Sequence, residues 1–366
     1  MGDFISLDAK IKDAAKISAK LAHESDTLFV IGHHSTTASA DALPNYLNAD
    51  PPIPVILANE TNPELLPADY RINYAPVFRL SPTDNKQAEK AADFLVVQRA
   101  KNIWVVQDVV ENPVYSRYLV REFISQLHEK SQVHEKHQLY EARQTYVNSH
   151  SHKKHLVYKQ EASKVYEQEV SKVLLWTENL ELPSVDVLQA MRIDWVFFAG
   201  ASSNCLILTR QVKELWKDKP NKPNVLLSSS CADTNLLQQG GDDIKQAFLT
   251  HPMAADVFNK RNFEVLGTRA FLLLRQLIKG ADNDFSELAR INGGAWYYLH
   301  RIAGIHSVAD ARNALRAFME KAVNSEKPFY LEDQPYTFNR DGTAREIAFH
   351  VWQVQTPSEG YSEIEN

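Results

Sequence analysis

Hydroxyl-bearing side chains follow two apolar runs near the N-terminus. Ser35, Thr36 and Thr37 come after the first run, and Thr61 comes after the second, just before an Asn-Pro-Glu-Leu segment. Hydroxyls and free backbone N–H groups at the start of a helix bind carboxylate or amide oxygens, with help from the helix dipole. Serine and threonine also cap helices in any protein, so capping is the alternative interpretation of each position. The pattern predicts a site for a small polar group.

Several acidic residues and both cysteines raise the alternative of a catalytic site. Asp108, Glu111 and Asp233 have the chemistry of acids or bases. Cys205 or Cys231 has the chemistry of a nucleophile if a histidine lies nearby. No Gly-x-Ser-x-Gly elbow and no HExxH pattern organises these residues into a known constellation. We therefore expect no catalytic activity.

The two cysteines are too few for a disulfide framework, and their spacing has no metal-site pattern. Cores often contain isolated buried thiols. The sequence therefore favours buried thiols, and a single bridge between Cys205 and Cys231 stays open as the alternative.

Glycine-rich phosphate-binding loops are missing from the sequence. No glycine occurs between Gly32 and Gly200, which excludes GxGxxG and P-loop fingerprints from that half. The glycine pairs at 240–241 and 293–294 lack the strand, turn and helix that such a loop requires. No nucleotide or other cofactor is expected.

Strand-sized apolar runs alternate with amphipathic helical patterns along the chain. Strands rich in Val, Ile and Leu between such helices imply parallel sheets that are covered on both faces. A chain of 366 residues is also too long for one ordinary core. The sequence predicts an α/β fold of two doubly wound lobes, with helices at 7–24, 38–47, 86–99, 114–128, 184–191, 263–279 and 307–322 and strands at 28–32, 55–57, 103–106, 172–176, 195–199 and 346–355.

Composition and charge exclude several classes of protein. With 44% hydrophobic and 23% charged residues, the chain is typical of a soluble globular protein. A net charge of -6 leaves no broad basic surface, so no nucleic-acid partner is expected. No apolar run approaches the length of a membrane span. The N-terminus lacks the layout of a secretory signal, which predicts either a cytoplasmic chain or one whose export segment has been removed.

A polar segment at 129–169 interrupts the α/β alternation. Its second half has apolar residues at helical spacing, which predicts an inserted helix or helical hairpin. Two interpretations are open, namely a solvated protrusion and a surface for oligomerisation or a partner. The segment and its flank hold six histidines, but no matching Cys or carboxylate pattern gives them a metal geometry, so no metal is expected: His128, His134, His137, His150, His152 and His155.

Five short motifs occur in an order that resembles the branched-chain amino acid and amide substrate-binding proteins of the periplasmic-binding type I class. The likeness covers most of the chain, is weakest at 205–330 and is absent from 129–169. The motifs are Val30-Ile-Gly-His33 with its hydroxyl cluster, Asn59-Glu-Thr61-Asn-Pro63-Glu-Leu, Phe78-Arg-Leu-Ser-Pro82-Thr-Asp84, Asn112-Pro-Val-Tyr115, and the strand at 193–200 before Ala201-Ser202-Ser203.

This resemblance implies two lobes joined by three chain crossings. The first lobe is expected to take 1–100 and 252–328, without the strands that open the family's first lobe. The second is expected to take 101–251 and 329–356, with the helical insert at 129–169. Residues 357–366 are expected to form a frayed tail.

The resemblance also implies a function and the residues that carry it. The expected function is non-catalytic binding of an amino acid, amide or related polar solute in a cleft that closes between the lobes. The solute would be delivered to a membrane permease, or sensed by a signalling partner, in the periplasm or another extracytoplasmic space. The contacts implied are Ser35, Thr36, Thr37, Asn59 and Thr61 from the first lobe and Tyr115, Ser202 or Ser203, Ser230 and Asp233 from the second.

Overall fold

The computed structural model describes residues 13–23, 27–33, 35–66, 76–133, 173–176, 185–190, 192–232, 234–252, 262–281, 307–323, 325, 327–332, 334–345, 347–355 and 360–364. Two compact units divide the chain, one of Met1–Thr83 with Lys260–Ala348 and one of Asp84–Asn259 with Phe349–Asn366. In the described residues, no helix is both long enough and apolar enough to span a membrane.

The described elements alternate between strands and helices. The strands are β1 (Val30–Ile31), β2 (Val55–Leu57), β3 (Val77–Arg79), β4 (Ile103–Asp108), β5 (Val173–Trp176), β6 (Trp195–Ala199), β7 (Asn224–Leu227), β8 (Phe248–His251), β9 (Phe329–Leu331), β10 (Gln334–Tyr336), β11 (His350–Val354) and β12 (Tyr361–Glu363). The helices are α1 (Ala14–His23), α2 (Thr36–Leu47), α3 (Asp84–Val97), α4 (Pro113–Val133), α5 (Val185–Ala190), α6 (Ser202–Leu215), α7 (Thr234–Gly240), α8 (Asn262–Ala281) and α9 (Val308–Val323), with short 3-10 turns at Pro63–Leu65, Ser229–Cys231 and Gly241–Asp243.

The first unit contains a parallel sheet with the strand order β1-β2-β3. Successive residues of β2 point to opposite faces of this sheet, and both faces are buried. Ile56 packs into a core with α8 and α9, whereas Val55 and Leu57 pack into a second core with α2. Burial on both faces explains why β2 is apolar at every position.

The second unit contains a seven-stranded sheet with the order β12-β11-β8-β7-β6-β4-β5. Strands β4 to β8 run parallel, and β11 and β12 run antiparallel to their neighbours. On β6, Val196 and Phe198 enter one core, and Trp195 and Phe197 enter the core on the other face. Helices thus cover both faces of the sheet, which confirms the predicted α/β class.

The unit boundaries differ from the predicted lobe boundaries at all three crossings, which follow residues 83, 259 and 348 instead of 100, 251 and 328. Helix α3 falls in the second unit, where Phe94 packs edge-on against Trp195 at 5.5 Å. Residues 329–348 fall in the first unit, where Phe338 stacks on Phe78 of β3 at 4.4 Å. Aromatic packing therefore assigns each segment to the sheet that it covers.

The expectation of a frayed tail is wrong for the described part of the C-terminus. Residues Tyr361–Glu363 form β12, which pairs antiparallel with β11 in the register Val354↔Tyr361. In this edge strand Tyr361 is buried, whereas Ser362 and Glu363 are exposed, so a mostly polar segment can supply it. At the predicted insert, helix α4 continues to Val133, and residues 134–172 lie outside the described part of the chain.

The preference for buried thiols is also wrong, because Cys205 and Cys231 form a disulfide with a Cα–Cα distance of 5.8 Å. Cys205 lies in the first turn of α6, and Cys231 lies in the 3-10 turn after β7. Both are fully buried in the same core. Parallel neighbours β6 and β7 bring these two loops together, which a sequence separation of 26 residues does not reveal.

Candidate functional site

In the first unit, the predicted hydroxyls lie at the start of α2, where Ser35 is the N-cap and Thr36 and Thr37 are the first two helical residues. The Ser35 side chain caps α2 by accepting a hydrogen bond from the Ala38 N–H at 3.3 Å. Thr36, the first residue of the helix, is buried, and Thr37 is half-buried. Capping is thus observed for Ser35, whose hydroxyl still has a proton to donate. Ligand contacts from these three residues stay a prediction.

The loop after β2 lies at the same edge of the sheet, because β1 and β2 are parallel neighbours. In this loop Asn59 is half-buried and Thr61 is buried. The Asn62 side chain accepts from the Glu64 N–H at 2.8 Å and so starts the 3-10 turn. Arg79, at the end of β3, donates to the Asn62 carbonyl at 2.8 Å. The hydrogen bond from Arg79 therefore holds the C-terminal end of the loop that carries Asn59 and Thr61.

Glu60, between these two residues, is a fully buried acid. Its side chain has no solvent exposure, and neither carboxyl oxygen has a hydrogen-bond partner among the described residues. Burial raises the pKa of Glu60 from 4.5 to about 7, although the nearby hydroxyls of Ser39 and Thr36 and the charge of Arg79 act in the opposite direction. The loops after β1 and β2 thus meet at this carboxyl group.

In the second unit, Tyr115 lies in the first turns of α4 and is buried, with 1% exposure. Its hydroxyl lies 3.3 Å from the side-chain oxygen of Gln87 and 3.3 Å from the Ser229 hydroxyl. Burial and the charge of Asp84 raise the pKa of Tyr115, and hydrogen bonds from Ser228, Ser229 and Ser230 lower it. The structure therefore brings the predicted residues Tyr115 and Ser230 together.

Gln87 of α3 connects this cluster to the end of the sheet. Its amide group lies 2.8 Å from the Thr250 hydroxyl, 3.1 Å from the Ser229 hydroxyl and 3.3 Å from the Tyr115 hydroxyl. Three side chains from three different elements thus converge on one buried amide. In this structure the Tyr115 hydroxyl is part of a polar network inside the second unit, and its contact with a ligand stays a prediction.

Asp108, at the carboxyl end of β4, has both carboxylate oxygens occupied. One oxygen accepts from the backbone N–H groups of Val110 and Glu111 at 2.8 and 3.2 Å. The other accepts from the Ala201 N–H at 3.2 Å and the Asn204 amide at 2.9 Å. Asp108 therefore ties β4 to the start of α6, and these four donors occupy the oxygens that an acid–base role would need.

The remaining predicted residues of the second unit are Ser202, Ser203 and Asp233. Ser203, in the first turn of α6, is exposed and donates a hydrogen bond to the Glu111 carboxylate. Ser202 begins the same helix. Asp233 lies outside the described residues. For Ser202, Ser230 and Asp233, ligand binding stays a prediction from the resemblance.

Comparison with known proteins gives matches at the level of structure. No protein-family model matches the chain, and no curated protein matches it. A leucine-binding protein, LivK, from Thermotoga maritima has a TM-score of 0.66 and 16% identity, over 98% of this chain and 84% of its own. An extracellular ligand-binding receptor from Rhodopseudomonas palustris HaA2 has a TM-score of 0.65 and 13% identity, over 97% and 87%. A benzoate-bound solute-binding protein of an ABC transporter from R. palustris has a TM-score of 0.60 and 12% identity, over 97% and 81%.

The chain has the type I periplasmic-binding protein fold. This confirms the resemblance that the five motifs indicated. In open α/β sheets, ligands bind beyond the carboxyl ends of the strands. The loops that carry Thr36, Thr61 and Glu60 lie at that end of the first sheet.

Sequence reasoning missed the residues that hold these loops together. Glu60 stands between two residues of a recognised motif, but a charged side chain in a polar loop normally indicates solvent exposure. Gln87 lies on the buried face of an amphipathic helix. A polar residue among alanines on that face was the one indication in the sequence that Gln87 has buried hydrogen-bond partners. The spacing of Arg79 from Asn62 gave no indication of their contact.

Proposed function

We propose that this chain binds a small polar solute without transforming it. The observation that carries the proposal is the meeting of two hydroxyl-bearing loops at the carboxyl ends of β1 and β2. Thr36 and Ser39 from α2 approach Glu60 of the neighbouring loop, next to Thr61. Polar groups that converge at this edge of a parallel sheet form the usual ligand position in open α/β folds.

The ligands of the structural neighbours support a solute with a carboxylate or a related group. One neighbour is a leucine-binding protein, and another was solved with benzoate. Both molecules carry a carboxylate, which suits hydroxyls and N–H groups at the start of α2. We infer an amino acid, amide or related solute, bound by Ser35, Thr36, Thr37, Asn59 and Thr61.

We propose that the second unit also contacts the solute, through Tyr115, Ser202, Ser230 and Asp233. The resemblance implies that the two units close on the solute, and this movement is part of the proposal. Delivery to a membrane permease is the role that we propose. Sensing with a signalling partner is the alternative, and residues 134–169 of the predicted insert, which offered a surface for a partner, lie outside the described residues.

The disulfide supports an extracytoplasmic location. Disulfides persist in oxidising compartments and are rare in the reducing cytosol. The bond between Cys205 and Cys231 therefore favours a chain that works outside the cytoplasm.

Of the side chains named for catalysis, Asp108, Glu111 and the two cysteines have partners in the structure, and Asp233 lies outside the described residues. Asp108 accepts four hydrogen bonds, and Glu111 accepts one from Ser203. Both cysteines are in the disulfide, which removes the thiolate that a nucleophile requires. These contacts support binding without chemistry.

The proposal is tested by native mass spectrometry of the purified chain, followed by calorimetry with the solute that it retains. Thr36→Ala and Thr61→Ala should each weaken binding by more than about tenfold, because a hydrogen bond to a charged group is lost. Thr268→Ala, on an exposed position of α8, is the matched control and should bind as the wild type does. Unchanged affinity in both loop variants would disprove this assignment of the site.

A further inference from the structure

Helix α3 is the first segment of the chain to enter the second unit, and it begins at Asp84, directly after the crossing at residue 83. Gln87, one turn into this helix, is fully buried, and so is Asp84. Buried polar side chains require hydrogen-bond partners, because an unpaired amide or carboxylate is unfavourable away from water. The partners of Gln87 therefore decide how the start of α3 is held.

The other two crossings are linked to the same side chain inside the second unit. The Gln87 amide lies 2.8 Å from the hydroxyl of Thr250, the next-to-last residue of β8, which is the strand before the crossing at residue 259. After the crossing at residue 348 the chain forms β11, in which Val351 pairs with Thr250. The Gln87–Thr250 hydrogen bond and the β8–β11 pair therefore join the ends of the three crossings that lie in the second unit.

The same amide also holds Tyr115 and the 3-10 turn after β7. An amide can be turned so that its oxygen and nitrogen exchange places, and its partners decide the orientation. With its oxygen toward β8, it accepts from the Thr250 hydroxyl at 2.8 Å and from the Ser229 N–H at 2.7 Å. Its nitrogen then lies 3.1 to 3.3 Å from three acceptors, which are the hydroxyls of Ser229 and Tyr115 and a carboxylate oxygen of Asp84. In this orientation both ends of the Gln87 amide have partners.

We propose that Gln87 is a positioning residue of the second unit, through which the ends of the crossings hold Tyr115 and the turn after β7 in place. The inference rests on the proposed function, because Tyr115 is one of the contacts proposed for the solute. Gln87 itself needs no contact with the solute, since it acts on the position of the Tyr115 hydroxyl. Solute affinity should therefore depend on a buried amide that lies behind the proposed contact.

The first test is calorimetry of the full chain with the twenty common L-amino acids, benzoate and any solute retained in native mass spectrometry. Gln87→Met keeps the length of the side chain and removes the amide. It should weaken binding by about fivefold, which is the value of one neutral hydrogen bond. Gln98→Met, at an exposed glutamine just after the same helix, is the matched control and should bind as the wild type does. Circular dichroism of each variant verifies that it is folded.

A double-mutant cycle separates positioning of Tyr115 from a general loss of stability. Tyr115→Phe removes only the hydroxyl. If Gln87 acts through that hydroxyl, Gln87→Met should weaken binding in the wild-type chain and should have little further effect in the Tyr115→Phe chain. Equal effects in both backgrounds, or wild-type affinity in a folded Gln87→Met chain, would overturn the inference and leave solute binding intact.

Thr250 supplies a second pair of variants, which keeps the inference testable if Gln87→Met does not fold. Thr250→Val removes the hydroxyl and should weaken binding, whereas Thr250→Ser keeps the hydroxyl and should weaken it less. Without solute, the N–H groups of residues 229–231 should exchange faster in Thr250→Val than in Thr250→Ser. Equal affinities, or equal exchange, in the two Thr250 variants would overturn the inference. Failure of the wild-type chain to bind any solute would overturn the proposed function and this inference together.

Discussion

Replacement of Glu60 by glutamine should remove a pH dependence from the stability of the chain. The folded chain raises the pKa of Glu60 from 4.5 to about 7, mainly through burial. Between these values the folded state holds a proton that the unfolded state releases. Stability therefore falls as the pH rises from about 4.5 to about 7, and the effect is constant at higher pH. The difference in pKa corresponds to about 3 kcal/mol.

Urea unfolding followed by circular dichroism, from pH 4.5 to 8, measures this effect. Across that window, the free energy of unfolding of Glu60→Gln should rise by about 3 kcal/mol relative to wild type. Glu64→Gln, which changes an exposed carboxylate four residues away, should track wild type at every pH. Parallel curves for Glu60→Gln and wild type would refute the assignment of a protonated, buried carboxyl.

Three further predictions follow from buried groups of the second unit. Burial and the charge of His350 lower the pKa of His251 from 6.5 to about 3. The free energy of unfolding should therefore fall as the pH drops below about 6.5, by up to about 5 kcal/mol. His251→Gln should remove this fall when urea unfolding is measured across the same pH range. Replacing Cys205 and Cys231 by serine should lower the free energy of unfolding by about 3 to 4 kcal/mol, because the loop that the bond closes becomes free in the unfolded chain; urea titration that shows no change would contradict this. Asp108→Ala should destabilise the chain by about 3 kcal/mol or more, since it leaves four donors without their acceptor, and the thermal midpoint should fall clearly below that of wild type.

The alternation of strands and helices was predictable because burial on both faces makes the inner strands continuously apolar. Strand β2 shows this, with Ile56 in one core and Val55 and Leu57 in the other. The positions of Thr36 and Thr61 follow from the same pattern, since each lies four or five residues after the end of an apolar strand. Local periodicity therefore located the loops of the candidate site.

Contacts between distant segments were not predictable in the same way. The sequence of an amphipathic helix shows which face is buried but not which sheet covers it. The sequence therefore placed α3 in the first lobe, whereas in the structure Phe94 of α3 packs against Trp195 of the second unit. The enclosure of Glu60 depends on Ser39 and Thr36 approaching from another element. The disulfide requires β6 and β7 to be neighbours. Each is a property of the folded chain that spacing does not encode.

Hydrogen exchange with and without the solute retained in native mass spectrometry tests the central claim most directly. If the solute binds at the carboxyl ends of β1 and β2, the backbone N–H groups of 35–39 and 58–62 should exchange more slowly at saturating solute. The exposed face of α8 should exchange at the same rate in both states. Unchanged exchange in the two loops, with protection at some other part of the chain, would contradict the site and the function proposed for it.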